Sequence, residues 1–415
     1  MSEAAIEFDV KCDAAVIAKT VPTQRLIEIN LRAPQGSRRE TRPDFNLALV
    51  LDVSGSMSGD KLAYTKQATA YLLDQLRERD RAALVVYDTN VRVVSEMQPV
   101  SPEQRAAMLR RIDDLQAGSM TNLSGGWLEG CRQVGLVQTT GAVNRALLLS
   151  DGLANVGITD REELGEHARQ LSQRGVSTST FGAGSDYDEH LLEVMANQGS
   201  GNYYYIDHPE SIPEIFRREL EEIAAITLQD ITLIIDVPPH TAIQIPGEWR
   251  TRQADGRLQV SIGDLASEQQ RRLYLEVLAP PSEADALEIH LLFHAQTPEG
   301  REIQRESTVR FEYRSADEAN EILRDAGLLD RYYRVSTAQV ASQALRLERE
   351  GRRQEADRLL EHQLAAAMPY MDENTARDYR SLRERVKRGL DQTERKQASM
   401  EQYRIKRSKD KDQNS

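Results

Sequence analysis

The apolar run Leu47-Ala48-Leu49-Val50-Leu51 leads without a break into Asp52-Val53-Ser54-Gly55-Ser56. An uninterrupted apolar run of this length reads as a strand buried on both faces, the kind found inside a mostly parallel sheet covered by helices. The carboxylate and two hydroxyls that follow then stand at the carboxyl end of a central strand, where open α/β sheets bind their ligands. Three oxygen ligands within five residues are poor at packing and good at holding a hard divalent cation such as Mg2+.

From Asp44 to about Ala225 short apolar runs alternate with segments of helical period, as a helix-covered parallel sheet requires. Strands are expected at Asn46–Asp52, Ala82–Tyr87, Arg92–Glu96, Ala146–Ser150, Ser177–Gly182 and Asn202–Ile206. Helices are expected near Lys61–Arg77, Pro102–Leu115, Leu123–Val137, Arg161–Arg174, Asp188–Gln198 and Ile212–Ile223. Ser101 with Gln104 reads as a capping box, and Gly175 and Gly199 stand where helices should stop. The second and third strands are separated by only a few polar residues, so they should pair as an antiparallel hairpin at the sheet edge.

The period changes to two from Thr227 to Tyr313, with strands expected at Ile231–Val237, Leu258–Ile262, Leu273–Val277 and Leu287–Leu291. Two more, Ile6–Cys12 and Gln24–Leu31, precede the α/β region and are too few to fold alone. One β-sandwich built from both flanks, with the α/β domain inserted, accounts for both. Helical spacing returns at Asp317–Asp325, Asp330–Glu348 and Arg353–Ala367, with Gly351 placed for an αα-hairpin. Thr375–Gln392 reads as a solvated helix, and low hydrophobicity beyond Lys396 reads as disorder. The expected division is thus sandwich strands in 1–43, an α/β domain in 44–225, the rest of the sandwich in 226–315, helices in 316–395 and a charged tail in 396–415.

A net charge of -13 argues against nucleic acid or an anionic membrane as main partner. No apolar stretch approaches the roughly 18 residues that a membrane span needs. The first residues carry acids where a secretory signal has bases, and only Cys12 and Cys131 are present, so a reduced, cytoplasmic protein is expected.

Two later segments complete the oxygen cluster. Gly118-Ser119-Met120-Thr121-Asn122-Leu123 is a loop entering a helix, and Leu147-Leu148-Leu149-Ser150-Asp151-Gly152 is a strand ending in a carboxylate. D-x-S-x-S, then a loop Thr, then strand-Asp-Gly, in this order, resembles the von Willebrand factor A-type (VWA) domain with its metal-ion-dependent adhesion site. The likeness covers roughly Asp44 to Ala225 and implies a doubly wound, mostly parallel six-stranded sheet with one antiparallel edge strand. It also implies that Ser54, Ser56 and Thr121 ligate the metal through hydroxyls while Asp52 and Asp151 hold it largely through water. One coordination position is left for an acidic residue of a partner. The implied ion is Mg2+, with Mn2+ or Ca2+ as substitutes. Neutral hydroxyl ligands leave the ion most of its charge, so it still attracts an outside carboxylate.

Each element taken singly has an ordinary structural reading: Asp52, Ser54 and Thr121 as caps or turn residues, Asp151-Gly152 as a turn. His290 and His294 have zinc-like spacing, but on a strand they stand roughly 13 Å apart and read as exposed. Tyr203-Tyr204-Tyr205 reads as sheet packing and the bases from Arg404 to Lys411 as a solvated tail.

The expected function is a non-enzymatic adaptor that binds an acidic residue of a protein partner through Mg2+. Family association suggests a MoxR-type AAA+ ATPase or a kinase or phosphatase system as that partner. One alternative is an Mg2+-dependent phosphatase or hydrolase using Asp52. It lacks the second acid two residues on, where Ser54 stands. The other is a scaffold whose metal only stabilises. The sandwich around an A-type domain also resembles inter-alpha-trypsin-inhibitor heavy-chain-like and chloride-channel-regulator-like proteins.

Overall fold

The computed structural model describes residues 6–35, 42–139, 141–184, 186–247 and 249–406. The chain divides into two compact units, one of Met1–Gln35, Thr227–Gln296 and Glu302–Ser415, the other of Gly36–Ile226 and Thr297–Arg301.

The first unit opens with β1 (Glu7–Cys12), β2 (Val16–Ala18) and β3 (Thr23–Arg32). The second then runs β4 (Phe45–Asp52), α1 (Asp60–Gln75), β5 (Arg81–Tyr87), β6 (Val91–Pro99), α2 (Pro102–Asp113), α3 (Leu123–Gly135) and β7 (Val143–Ser150). It continues with α4 (Arg161–Gln173), β8 (Ser177–Ala183), α5 (Glu189–Gln198), β9 (Ser200–Ile206) and α6 (Ile212–Ala224). Its sheet has the order β6-β5-β4-β7-β8-β9, parallel throughout except for β6, which pairs antiparallel with β5 at the edge as the short polar link predicted. Every residue of β4 is buried, because helices cover both faces of a strand that lies between β5 and β7. After β4 the chain builds outward to β5 and β6, then returns to β7 on the other side of β4. That reversal opens a crevice between the carboxyl ends of β4 and β7, the place where a doubly wound sheet takes its ligand.

The helix after the Thr121 loop is held close to this crevice by its glycines. A Cβ on Gly130 would lie 2.3 Å from Val50 Cγ2, and one on Gly126 2.4 Å from Tyr87 Cδ1, so α3 approaches β4 and β5 more closely than any side chain allows. Ser101 caps α2 through the Gln104 amide, but the Gln104 side chain turns to Ser95, so only half of the expected capping box forms.

The first unit resumes with β10 (Ile226–Asp236), β11 (Ala242–Gln244), β12 (Arg250–Ala254), β13 (Arg257–Ala266), β14 (Gln270–Ala279), β15 (Ala286–Gln296) and β16 (Glu302–Arg314). They form the sheets β1-β3-β14-β11 and β12-β13-β10-β15-β16-β2. Inward residues of the two sheets, among them Ile27, Ile29, Leu273, Leu233, Val260 and Phe293, make one core. His290 and His294 lie on β15, where His290 is exposed and meets Thr308 across the strand pair.

The helices α7 (Ala316–Glu321), α8 (Ala326–Arg349), α9 (Arg353–Ala367), α10 (Glu373–Arg388) and α11 (Gln392–Lys406) complete this unit. Arg331 on α8 grips the buried Glu28 of β3 through two hydrogen bonds of 2.7 and 2.8 Å, and Tyr332 donates to Glu276 of β14. These ties explain why the helices belong with the strands rather than forming a separate region. The expected disordered tail of 396–415 is corrected at its start. Residues 396–406 are helical, with Ala398, Gln402 and Tyr403 buried on one face and Tyr379 on α10 bonding Gln402. The expected solvated helix is likewise half-buried, since α10 buries Ala376 and sinks Tyr379, Leu382 and Val386 into the core of α8 and α9. The remainder of the expected tail, including Lys411, lies outside the described residues.

Candidate metal site

Asp52 ends β4 and is fully buried. Its Oδ1 accepts the Ser54 amide at 2.8 Å and its Oδ2 accepts the Ser150 hydroxyl at 2.9 Å. Burial pushes its carboxyl up to about 6, against the lowering effect of the Ser54 and Ser150 hydrogen bonds. Ser54 is buried, whereas Ser56, in the single 3-10 turn that follows, is exposed. The two hydroxyls stand 3.1 Å apart, and Ser56 Oγ donates to Asp151 Oδ1 at 2.7 Å. The D-x-S-x-S turn and the Asp after β7 are thus in direct contact across the crevice.

Thr121 comes to the same place by another route. Its loop is tied to the Asp52 turn, with Gly55 N donating to Ser119 O and Gly118 N to Val53 O. It is also tied to the loop beyond Asp151, where the Thr121 amide donates to Asn155 Oδ1 at 2.9 Å and the Asn155 and Val156 amides return to Thr121 O. A Cβ placed on Gly152 would lie 3.4 Å from Ser56 Oγ and 3.7 Å from Thr121 Oγ1, so both hydroxyls face one point beside this glycine. All five residues singled out in the sequence, Asp52, Ser54, Ser56, Thr121 and Asp151, gather at the end of the β4–β7 crevice.

Several neighbours escaped the sequence reading. Lys61, at the start of α1, makes an ion pair of 2.5 Å with Asp151 Oδ2. Ser150 holds Asp52, and the buried Tyr87 hydroxyl donates to Leu149 O beneath it. Asp88, half-buried after β5, lies under Gly118 and accepts the Asn90 amide. Their sequence signals are weak because a Lys in a helix's first turn or a Ser at a strand's end is ordinary.

The donors fit a hard cation. All are oxygens, three of them neutral hydroxyls; of the two buried carboxylates Asp151 pairs with the Lys61 ammonium, while Asp52 has an amide and a hydroxyl as its hydrogen-bond donors. Among the described residues no group of three or more His, Cys, Asp or Glu side chains is placed to hold an ion. No described helix is long and apolar enough to cross a membrane. Cys12 and Cys131 are free, and burial pushes the Cys131 thiol up to about 12. Tyr203 is buried with its hydroxyl 2.7 Å from that of Tyr187, while Tyr204 stacks on Phe181, which matches the packing role expected of this run.

The family model of the von Willebrand factor type A domain matches residues 46–218. The uncharacterised protein YfbK of Escherichia coli (strain K12) is 31% identical over 216 residues, 52% of this chain and 37% of its own length. The uncharacterised Synechocystis protein sll0103 is 31% identical over 273 residues, 62% of this chain and 63% of its own. Inter-alpha-trypsin inhibitor heavy chain H1 of Bos taurus is 26% identical over 227 residues, 53% of this chain and 24% of its own. The chain therefore spans less than two thirds of the length of each of these relatives. Among solved structures, a von Willebrand factor type A protein from Catenulispora acidiphila has a TM-score of 0.76 at 18% identity and covers 96% of both chains. The ArnB paralog VWA2 from Sulfolobus acidocaldarius has a TM-score of 0.66 at 16% identity, over 97% of this chain and 98% of its own. Residues 46–218 of this chain are a von Willebrand factor type A domain, carried within a fold of added sheets and C-terminal helices that these two structures share.

Proposed function

We propose that the domain is a non-enzymatic protein-interaction module in which Asp52, Ser54, Ser56, Thr121 and Asp151 hold Mg2+ and the ion captures a carboxylate of a partner protein. The observation that carries this reading is the convergence of three hydroxyls with only two carboxylates at the ligand-binding end of the sheet. In it Ser54, Ser56 and Thr121 would contact the ion, and Asp52 and Asp151 would act largely through water. The ion supplies a Lewis-acidic position open to an outside oxygen ligand, while the chain's own hydrogen bonds fix the hydroxyls around it.

The rim favours a protein over a small charged metabolite. Residues 53–59, 115–128 and 152–159 contain no charged side chain, in a chain that is 29% charged. Met120 and Leu153, next to Thr121 and Asp151, are 46% and 53% exposed, unusual for large apolar side chains on a free surface. The two free thiols agree with a reducing, cytoplasmic setting.

The test is capture of partners from source lysate on the immobilised full chain, with Mg2+ and with EDTA, beside Asp52→Ala. Partners retained with Mg2+, eluted by EDTA and lost in the variant are expected, and mass spectrometry names them. Partners that bind equally under all conditions take the metal out of the mechanism. A melting temperature raised by Mg2+ with no partner released by EDTA would leave a stabilising metal alone.

A further inference from the structure

The Lys61 ammonium is the cationic side chain that pairs with the cluster, and the residues assigned to the metal do not account for it. Its position is fixed from three sides. The helix start at Asp60 sets its backbone, and Gly184 clears its path, since a Cβ there would lie 3.4 Å from both Lys61 Cε and Nζ. Asp151 Oδ2 receives its Nζ at 2.5 Å, with the Lys side chain only 23% exposed and the Asp side chain fully buried. Asp151 Oδ1 is taken by Ser56, so Lys61 and a serine of the proposed metal site share one carboxylate.

The charges decide what this arrangement does. Asp52 and Asp151 alone would neutralise a divalent ion, and a neutral site has little pull on a further anion. With Lys61 present the loaded site keeps one net positive charge, which one carboxylate cancels. The same ammonium repels the incoming metal. Resting on the Mg2+ reading above, we propose that Lys61 is a built-in counter-charge that weakens the site's hold on the metal and strengthens the loaded site's hold on a single external carboxylate. Asp88 and the exposed Asp60 add their fields equally with or without Lys61, so they do not enter the difference.

Lys61→Met keeps the length of the stem and removes the charge. Calorimetric titration of the full chain with Mg2+ should show Lys61→Met binding at least tenfold tighter than wild type, because a unit charge within about 6 Å of a divalent ion exerts that effect even at the dielectric of water, near 80. Acetate titrated against the Mg2+-saturated protein, read by NMR shifts of the 53–59 and 152–155 amides, should bind several-fold more weakly in the variant. Lys61→Gln should repeat both shifts, and Lys61→Arg, which keeps the charge, should repeat neither. Melting curves in EDTA show that each variant is folded before titration. Lys61→Met binding Mg2+ no tighter, or acetate no more weakly, overturns the role of Lys61. A wild-type chain that takes up no Mg2+ overturns the metal reading itself, and the two failures are told apart by the wild-type titration.

Discussion

Asp52 on β4 and Glu219 on α6 are both fully buried acids of the α/β unit, yet their surroundings differ in kind. Glu219 Oε1 accepts from Arg145 Nη1 at 3.0 Å and Ser179 Oγ at 2.5 Å, while Oε2 accepts from Asn202 Nδ2 at 2.9 Å and the Tyr204 hydroxyl at 2.8 Å. Its charge is cancelled by one buried guanidinium, and each oxygen has two donors. Asp52 has an amide, a hydroxyl and no cation of its own, and its cluster opens to solvent through Ser56. A closed, balanced network fastens a helix to a sheet. An open network with one charge left over suits the ion proposed for it.

The largest expected effect tests the closed half of this contrast. Glu219→Leu removes the buried carboxylate that Arg145, Ser179, Asn202 and Tyr204 all bond, which should lower the unfolding free energy by about 3–5 kcal/mol. Urea denaturation measures it, and Arg145→Leu with Glu219→Leu should recover part of the loss, because the buried guanidinium that lost this carboxylate is gone as well. Mg2+ affinity of the folded single variant should stay at the wild-type value. If Glu219→Leu were as stable as wild type, the cluster would not fasten α6 and the contrast would fail on that side.

The open half should respond in the opposite sense. Asp52→Ala removes a buried acid with no paired cation, so in EDTA at pH 8 its stability should match or exceed wild type, while its gain from Mg2+ vanishes. The pH dependence follows from the same burial. The folded state holds the Asp52 proton up to about pH 6 and the unfolded chain releases it near 4, so the contribution is fully present below about 4 and is lost as pH rises to 6. In EDTA wild type should therefore lose up to about 3 kcal/mol relative to Asp52→Ala between pH 4 and 7, with the two curves parallel above that. Urea titrations across this range check it. A difference that runs the other way would mean that Asp52 is compensated as fully as Glu219.

The sheet and the five site residues were legible because their signals are redundant. Continuous apolar runs such as Leu47–Leu51 can only be buried strands here, and the order of Asp52, Thr121 and Asp151 along the chain fixed which strand ends had to meet. What was missed depends on partners distant in sequence. Lys61 is a surface lysine until Asp151 is brought beside it, and Glu219 is one of several acids on α6 until Arg145 and Asn202 close around it. The last helix failed for a related reason. Ala398 and Tyr403 are few among charged residues, and Ala398 finds a place to be buried only in the apolar core already made by α8, α9 and α10.

The smallest expected effect is the sharpest test, because it makes the same substitution in both clusters. Ser150 donates to Asp52 Oδ2 at 2.9 Å and Ser179 donates to Glu219 Oε1 at 2.5 Å, both from buried strand positions. Ser150→Ala should lower stability by about 1 kcal/mol, the net worth of one such hydrogen bond, and Ser179→Ala by more, because Ser179 Oγ also accepts the buried Asn202 amide at 3.1 Å. They should then part company. Ser150→Ala frees one side of the Asp52 carboxylate and raises the proton affinity that Mg2+ must overcome, so Mg2+ binding near pH 6 should weaken a few-fold and recover at pH 8. Ser179→Ala should leave Mg2+ titrations unchanged at either pH. Equal Mg2+ affinities in the two variants at pH 6 would show that the two buried acids do not differ in the way their surroundings imply.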